Sequence, residues 1–333
     1  MRASDIYRRI TAVNDYFISR WNTANLSAGS STSTQVRLPL SSSGTYNFTI
    51  TWSDGTSYNI TSWNQAEVTK TFSGSGTYTA VIQGICTGFN FSNLGDRLKI
   101  LEIQQWGRLK FINAVGQFWG CANLNVIATD IPDLSGLSSL ESFFRECSSL
   151  VYNPSINNWN VLGIDSMDFM FFLATPFNQP IANWNVSTVT KMIFMFSTNT
   201  FNQPIGNWNV ANVTRMDSMF RNNGVFNQPI NTWNVGSVIN MPSMFQGAPG
   251  FNQPIGNWNV SNVMSFASFM LGKAPANYSA VNLDLIYNGW STRPVLANRT
   301  ISFGTIKHTA AGTAGKAILT GAPNNWTITD GGI

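Results

Sequence analysis

The sequence predicts a β-rich α+β fold: an N-terminal helix, a small β-sandwich, a solenoid of about seven 25-residue repeats and a C-terminal cap. Three observations predict it. The phrase FNQPIGNWNV occurs at 201–210 and again at 251–260, with variants FNQPIANWNV at 177–186 and FNQPINTWNV at 226–235. Self-similarity at a fixed period in this range is the mark of stacked repeats. Residues 36–86 carry alternating, β-branched runs separated by Gly, Ser and Asp, the pattern of short strands. Residues 4–21 space their apolar side chains as one helix face would. The organisation that follows is 1–35, helix and linker for anchoring and oligomerisation; 36–94, sandwich; 95–276, solenoid; and 277–333, capping segment.

In the first segment Ile6, Ile10, Val13 and Phe17 follow a 4-3-4 spacing, with Ser4 and Asp5 as N-cap candidates. This is the predicted anchoring helix. The Ser/Thr-rich stretch 22–35 that follows reads as a linker or extended arm. In the second, VRLPL, TYNFTITW and TYTAVIQG are strand candidates, and Asp54-Gly55 is a hairpin signal. Trp52-Ser53-Asp54-Gly55 and Gly76-Thr77-Tyr78-Thr79-Ala80-Val81 resemble the W-x-D-G turn and late G-x-Y-x-V strand of the PKD-type, immunoglobulin-like domain.

In the third, Val210, Val213, Met216, Met219 and Phe220 set a 3-3-3-1 apolar spacing. It recurs from Val186, Val235 and Val260, and upstream, without the FNQP phrase, from Leu109, Leu134 and Val161, in steps of 25, 27, 25, 24, 25 and 25. Each repeat is expected to begin with a strand-like PIGNWNV piece and to continue, over Val213–Phe220, as a short helical or 3₁₀ piece. One such unit cannot bury both sides of its apolar residues, so neighbours must supply the other side. The repeat-core tryptophans Trp159, Trp184, Trp208, Trp233 and Trp258 are therefore expected to stack, Trp208 between Trp184 and Trp233.

These units resemble leucine-rich repeats, in particular the BspA-like repeats of bacterial surface proteins and their phage-encoded relatives, which read W-[ND]-V-S-x-V-x-x-M-x-x-M-F. WNVSTVTKMIFMF, WNVANVTRMDSMF and WNVSNVMSFASFM carry the likeness, and FWGCANL and FRECSSL look like the F-x-x-C-x-x-L ending of related units. The resemblance implies a leucine-rich-repeat-type solenoid closed by a segment like LDLIYNGW…NNWTITDGG. The chain departs from that pattern in having almost no Asp at the W-D-V position.

Composition limits what such a protein does. Charged residues are 10% of the chain, against about 25% in ordinary domains, while aromatics reach 13%, which excludes a disordered class. The net charge of +4 comes from scattered Lys and Arg, without the basic footprint that nucleic acid requires. Cys86, Cys121 and Cys147, an odd and low count, are expected to be buried free thiols with no metal spacing. No run of 18 apolar residues marks a membrane helix. The N-terminal stretch lacks the apolar core and cleavage site of a secretory signal.

Candidate sites are the outward rows flanking each tryptophan: Asn158, Asn183, Asn207 and Asn257 with Thr232, and Asn160, Asn185, Asn209, Asn234 and Asn259. On a strand face they form two polar columns, available either to a glycan or protein edge or to a self-satisfied amide ladder. The FNQP asparagines are expected to brace turns. His308 has no partner set, GTAGKA at 312–317 fails as a phosphate loop, and the pairs Asp130/Asp133 and Asp165/Asp168 read as turn and helix-start residues. The expectation is thus a non-enzymatic protein with no cofactor and no metal. In the first reading it is a phage virion fibre, decoration or host-attachment protein. It would be homo-oligomeric, docked on other virion proteins through the N-terminal helix, and would present the solenoid to a cell-surface glycan or protein, with neither nucleic acid nor membrane insertion. A bacterial cell-surface adhesin is the alternative, and a glycan depolymerase the third.

Overall fold

A computed structural model of the chain describes residues 15–333. It divides into two compact units, the first running to Asn160 and including Ala174–Gln179, the second comprising Val161–Leu173 and Pro180–Ile333.

The first unit is built on a six-stranded sheet. Its strands are β1 (Phe17–Asn22), β3 (Tyr46–Trp52), β4 (Ser57–Ile60), β6 (Thr77–Cys86), β7 (Ile100–Gln105) and β8 (Asn125–Val126), in the order β4-β3-β6-β1-β7-β8. A separate ribbon pairs β2 (Gln35–Arg37) with β5 (Thr69–Thr71). The Asp54-Gly55 turn joins β3 to β4, with Gly55 at φ 87° and Trp52 N–H donating to the Thr56 carbonyl at 2.9 Å.

The expected N-terminal helix is corrected where it can be seen. Ile6, Ile10 and Val13 lie outside the described residues, but Phe17 begins β1, an interior strand antiparallel to both β6 and β7. Pairing with β6 along its whole length and with β7 from Ile18 to Trp21 gives this backbone the partners that a helix would otherwise supply, and FISRW packs Phe17, Ile18 and Trp21 into the core. Tertiary pairing therefore overrides the helical spacing. The 22–35 stretch is tied down as well: Ser31 gives its backbone N–H and its hydroxyl to Asp96, at 2.7 and 2.6 Å.

The repeat region also departs from expectation. No repeat of the second unit contains a regular strand or helix; the helices are two short ones after the repeats, α1 (Ala280–Trp290) and α2 (Thr313–Thr320). Among the described residues the fold class is accordingly corrected to sheet and coil with two short α-helices. The solenoid of the leucine-rich-repeat type is not seen. Its strand-like piece fails because turns close inside it. Trp208 N–H donates to Ile205 O at 3.1 Å and Val213 N–H to Val210 O at 2.9 Å, and Pro204, Pro229 and Pro254 have no N–H to offer a ladder. What pairs is one residue per repeat, in a chain of parallel bridges Ser166–Lys191–Arg215–Asn240–Ser265.

The helical piece fails for a different reason. From Met216 onward, alternate N–H groups point to the next repeat: Met216 to Asn240 O, Ser218 to Pro242 O, Phe220 to Met244 O and Asn222 to Gln246 O, all at 2.8–3.0 Å. The intervening ones close three-residue turns, Met219 on Met216, Arg221 on Ser218 and Asn223 on Phe220. The pattern needs left-handed residues at two places per repeat. Phe169, Phe194, Ser218, Ser243 and Ser268 occupy one, at φ 53–57°; Leu173, Thr198, Asn222, Gly247 and Gly272 occupy the other. Only the last two glycines announce this in the sequence.

Thr198 is the worst suited of these residues, a β-branched side chain at φ 54°. Its hydroxyl makes only a 3.5 Å contact with Ser197. Thr198→Gly removes a left-handed penalty of about 1–2 kcal/mol, part of which the freer unfolded chain takes back. We expect a net gain of about 0.5–1 kcal/mol in the urea-unfolding free energy. Gly247→Ala goes the other way, since a Cβ there would lie 2.4 Å from Asn222 Oδ1.

Candidate binding face

Two aromatic columns hold the second unit's repeats in register. Trp184 and Trp208 lie parallel at 6.4 Å, as do Trp233 and Trp258. Phe171, Phe196, Phe220 and Phe245 follow one another at 5.8–5.9 Å. Within a repeat the FNQP phenylalanine stacks on the M-F phenylalanine before it: Phe201 on Phe196 at 4.0 Å, Phe226 on Phe220 and Phe251 on Phe245 at 3.8 Å.

A hydrogen bond explains why the column is tryptophan. The indole N–H of Trp208 donates to Ile181 O at 3.2 Å, that of Trp233 to Ile205 O at 3.0 Å and that of Trp258 to Ile230 O at 3.0 Å. Each repeat thereby satisfies a buried carbonyl of the one before it. The last repeat is served by α1, whose Trp290 donates to Ile255 O at 3.2 Å. All five repeat tryptophans are buried; Trp159 lies in the first unit.

The flanking asparagines face solvent. Asn158, Asn160, Asn183, Asn185, Asn207, Asn209, Asn234, Asn257 and Asn259 are all exposed, Asn158 and Asn160 in the first unit and the others in the second. They stand on turns and coil, with Asn158 ending the short 3₁₀ helix Ile156–Asn158, rather than on the expected strand face. The row after tryptophan folds back on itself. The side-chain Oδ1 of Asn185 accepts from Ser187 N–H at 3.2 Å, Asn209 from Ala211 at 3.2 Å, Asn234 from Gly236 at 3.1 Å and Asn259 from Ser261 at 3.2 Å. These are Asx turns. They fix each side chain by its oxygen, and no Nδ2 of these four residues donates within the described residues, so the amino groups face solvent.

The self-satisfied amide ladder does exist, but among the FNQP residues. Asn202 Oδ1 accepts from Asn227 N–H at 2.9 Å and from Gln228 Nε2 at 3.0 Å. Asn227 receives the same pair from Asn252 and Gln253, at 2.8 and 2.9 Å. At the end Ser279 N–H and Asn282 Nδ2 complete the pattern on Asn252. A second cross-link was not legible: Asn212 Nδ2 donates to Ser187 O, and Asn262 Nδ2 to Gly236 O, both at 2.7 Å.

The ionisable groups serve the framework. Asp130 accepts from the N–H groups of Trp106 and Gly107. Asp133 accepts from Ser135 and pairs with Lys110, which hold its carboxyl below the usual range. Asp165 accepts from Thr190 Oγ1 and Asp168 from Ile193 N–H. His308 is buried in the C-terminal segment, with Nδ1 on Thr309 O and Lys316 Nζ 3.5 Å from Nε2. GTAGKA falls largely in α2, where Lys316 pairs with Asp330 at 2.8 Å. Lys273 directs its Nζ at the carbonyls of Pro249, Phe251 and Asn277, and burial pulls its ammonium down to about 7. The three cysteines are free and buried, and desolvation pushes their thiols up. Among the described residues no helix is long and apolar enough to cross a membrane.

The face is therefore a row of neutral N–H₂ donors set on a rigid core, one per repeat, with no reactive group among the asparagines. Residues 111–200 and 189–282 each match the model of a family described as a Mycoplasma protein of unknown function, DUF285. Together they span 111–282, which is 172 of the 333 residues. The match supports a BspA-like repeat protein, and neither the leucine-rich-repeat type nor a phage origin. No curated protein matches the chain, and no solved structure does.

Proposed function

The chain belongs to the DUF285 family, and from that premise we propose that it is a non-enzymatic adhesive protein displayed on a cell surface. Its asparagine face binds an uncharged polymer. The observation that carries this is the Asx-turn row, which spends each Oδ1 internally and leaves each Nδ2 for an outside acceptor. A regular row of weak donors favours a ligand that itself repeats, because each hydrogen bond contributes only about 0.5–1.5 kcal/mol. What supports binding over catalysis is that the paired carboxylates are spent on backbone N–H groups and on Lys110.

The test exploits the two ends of the amide. Asn185→Asp with Asn209→Asp keeps an oxygen for each turn and removes each donor. We expect binding to the target surface to fall about tenfold, as two lost hydrogen bonds imply, with an unchanged melting temperature. Binding equal to wild type would remove the proposal. Display on a virion would put the same face to another use, and antibody labelling of intact cells and of particles released on lysis separates the two locations.

A further inference from the structure

One cleft in the second unit departs from the regular face. Between the last two FNQP repeats and α1 lies a cavity of ≈ 460 Å³, within the range of small-ligand sites. Three amides reach it, Asn231, Asn257 and Asn288, and Pro254 and Leu285 supply apolar walls.

A departure in the repeat phrase supplies one of its walls. At the place where the other three copies have Ala182, Gly206 and Gly256, this copy has Asn231. The amide of Asn231 makes no hydrogen bond within the described residues, nor does that of Asn257. Asn288 is fixed by donating its Nδ2 to Ala311 O at 3.0 Å. The floor is bare backbone. A Cβ on Gly256 would sit 2.1 Å from Leu285 O, and one on Gly289 2.1 Å from Gly256 O, so only glycine lets α1 seat against the repeat. Leu285 stays 45% exposed at the rim.

We propose that this cleft binds one or two residues of a neutral saccharide, the end of a chain whose length lies along the asparagine face. The inference rests on the polymer-binding reading and adds the class of its ligand. No charged side chain lines the cleft, so a charged ligand would be desolvated without a partner. Amides offer a donor and an acceptor together, which suits vicinal hydroxyls, while Pro254 and Leu285 suit the C–H face of a sugar ring.

The experiment titrates the full chain with neutral tetrasaccharides derived from glucan, mannan, galactan and chitin, following side-chain amide signals by NMR. At least one is expected to shift Asn231 and Asn257 at millimolar concentration. Asn231→Gly, the phrase's own residue, and Asn257→Ala should each weaken it about fivefold at unchanged melting temperature. Wild-type affinity in the cleft variants, or no shift at these amides from any of the four at about 20 mM, overturns the inference. If the intact protein still binds cells in that case, the cleft fails and the adhesive reading stands. If cells are not bound at all, it is the adhesive reading that fails.

Discussion

Trp233→Ala should cost the second unit about 3–5 kcal/mol, the range for deleting a buried aromatic side chain. Three losses coincide at this position. The side chain is 3% exposed and lies parallel to Trp258 at 6.4 Å. Its indole N–H also satisfies Ile205 O in the previous repeat. Trp233→Phe separates these terms, because it keeps most of the packing and orphans the carbonyl, for about 1–3 kcal/mol. Urea unfolding followed by tryptophan fluorescence should show the transition that reports the second unit displaced to lower urea. Trp233→Ala combined with Trp258→Ala should be non-additive by about 0.5–3 kcal/mol, since each removes part of the other's environment. Simple additivity would mean that the two rings do not share a column.

Lys99→Met should destabilise the first unit by about 3–5 kcal/mol, the cost of breaking a buried pair on one side. Lys99 and Asp96 are both fully buried, with Nζ 3.2 Å from the carboxylate. The ammonium also donates to the carbonyls of Ser31, Thr32 and Gln35 at 2.8–2.9 Å. The carboxylate in turn accepts from Ser31 N–H and Oγ and from Arg37 N–H. The pair clamps residues 31–37 onto the turn that precedes β7. Burial draws the lysine's pKa down while Asp96 opposes it. Lys99→Met with Asp96→Asn should regain part of the loss, because no unpaired charge then remains. The double variant falling as far as the sum of the singles would argue against the clamp.

Much of the fold was legible where one physical requirement fixes one residue type. The period near 25 places Trp184 above Trp208 and Phe220 above Phe245, because a buried ring shared by two repeats must recur. The Asp54-Gly55 turn was legible for a similar reason, since Gly55 takes a positive φ. What could not be read depends on partners distant in sequence. Phe17 has helical spacing to Val13, yet its partners are Ile82 and the strand beyond. The left-handed positions were hidden because Phe169, Ser218 and Thr198 occupy them as well as glycine. An amide ladder was one of the two readings open for the residues beside tryptophan, and it is formed by Asn202, Asn227 and Asn252 instead. Composition alone cannot tell an asparagine that bonds the next repeat from one that bonds its own backbone. The cleft beside Asn231 was equally invisible, because α1 forms one side of it.

The central claim is that each repeat is completed by the indole of the next. Hydrogen exchange at the indole N–H groups of Trp208, Trp233 and Trp258 tests it most directly, with the signals assigned by single Trp→Phe variants. Buried donors bonded to Ile181, Ile205 and Ile230 should exchange only with opening of the whole unit, slowed about 10⁴-fold or more relative to free indole. Exchange of any of the three at the free-indole rate would contradict the account.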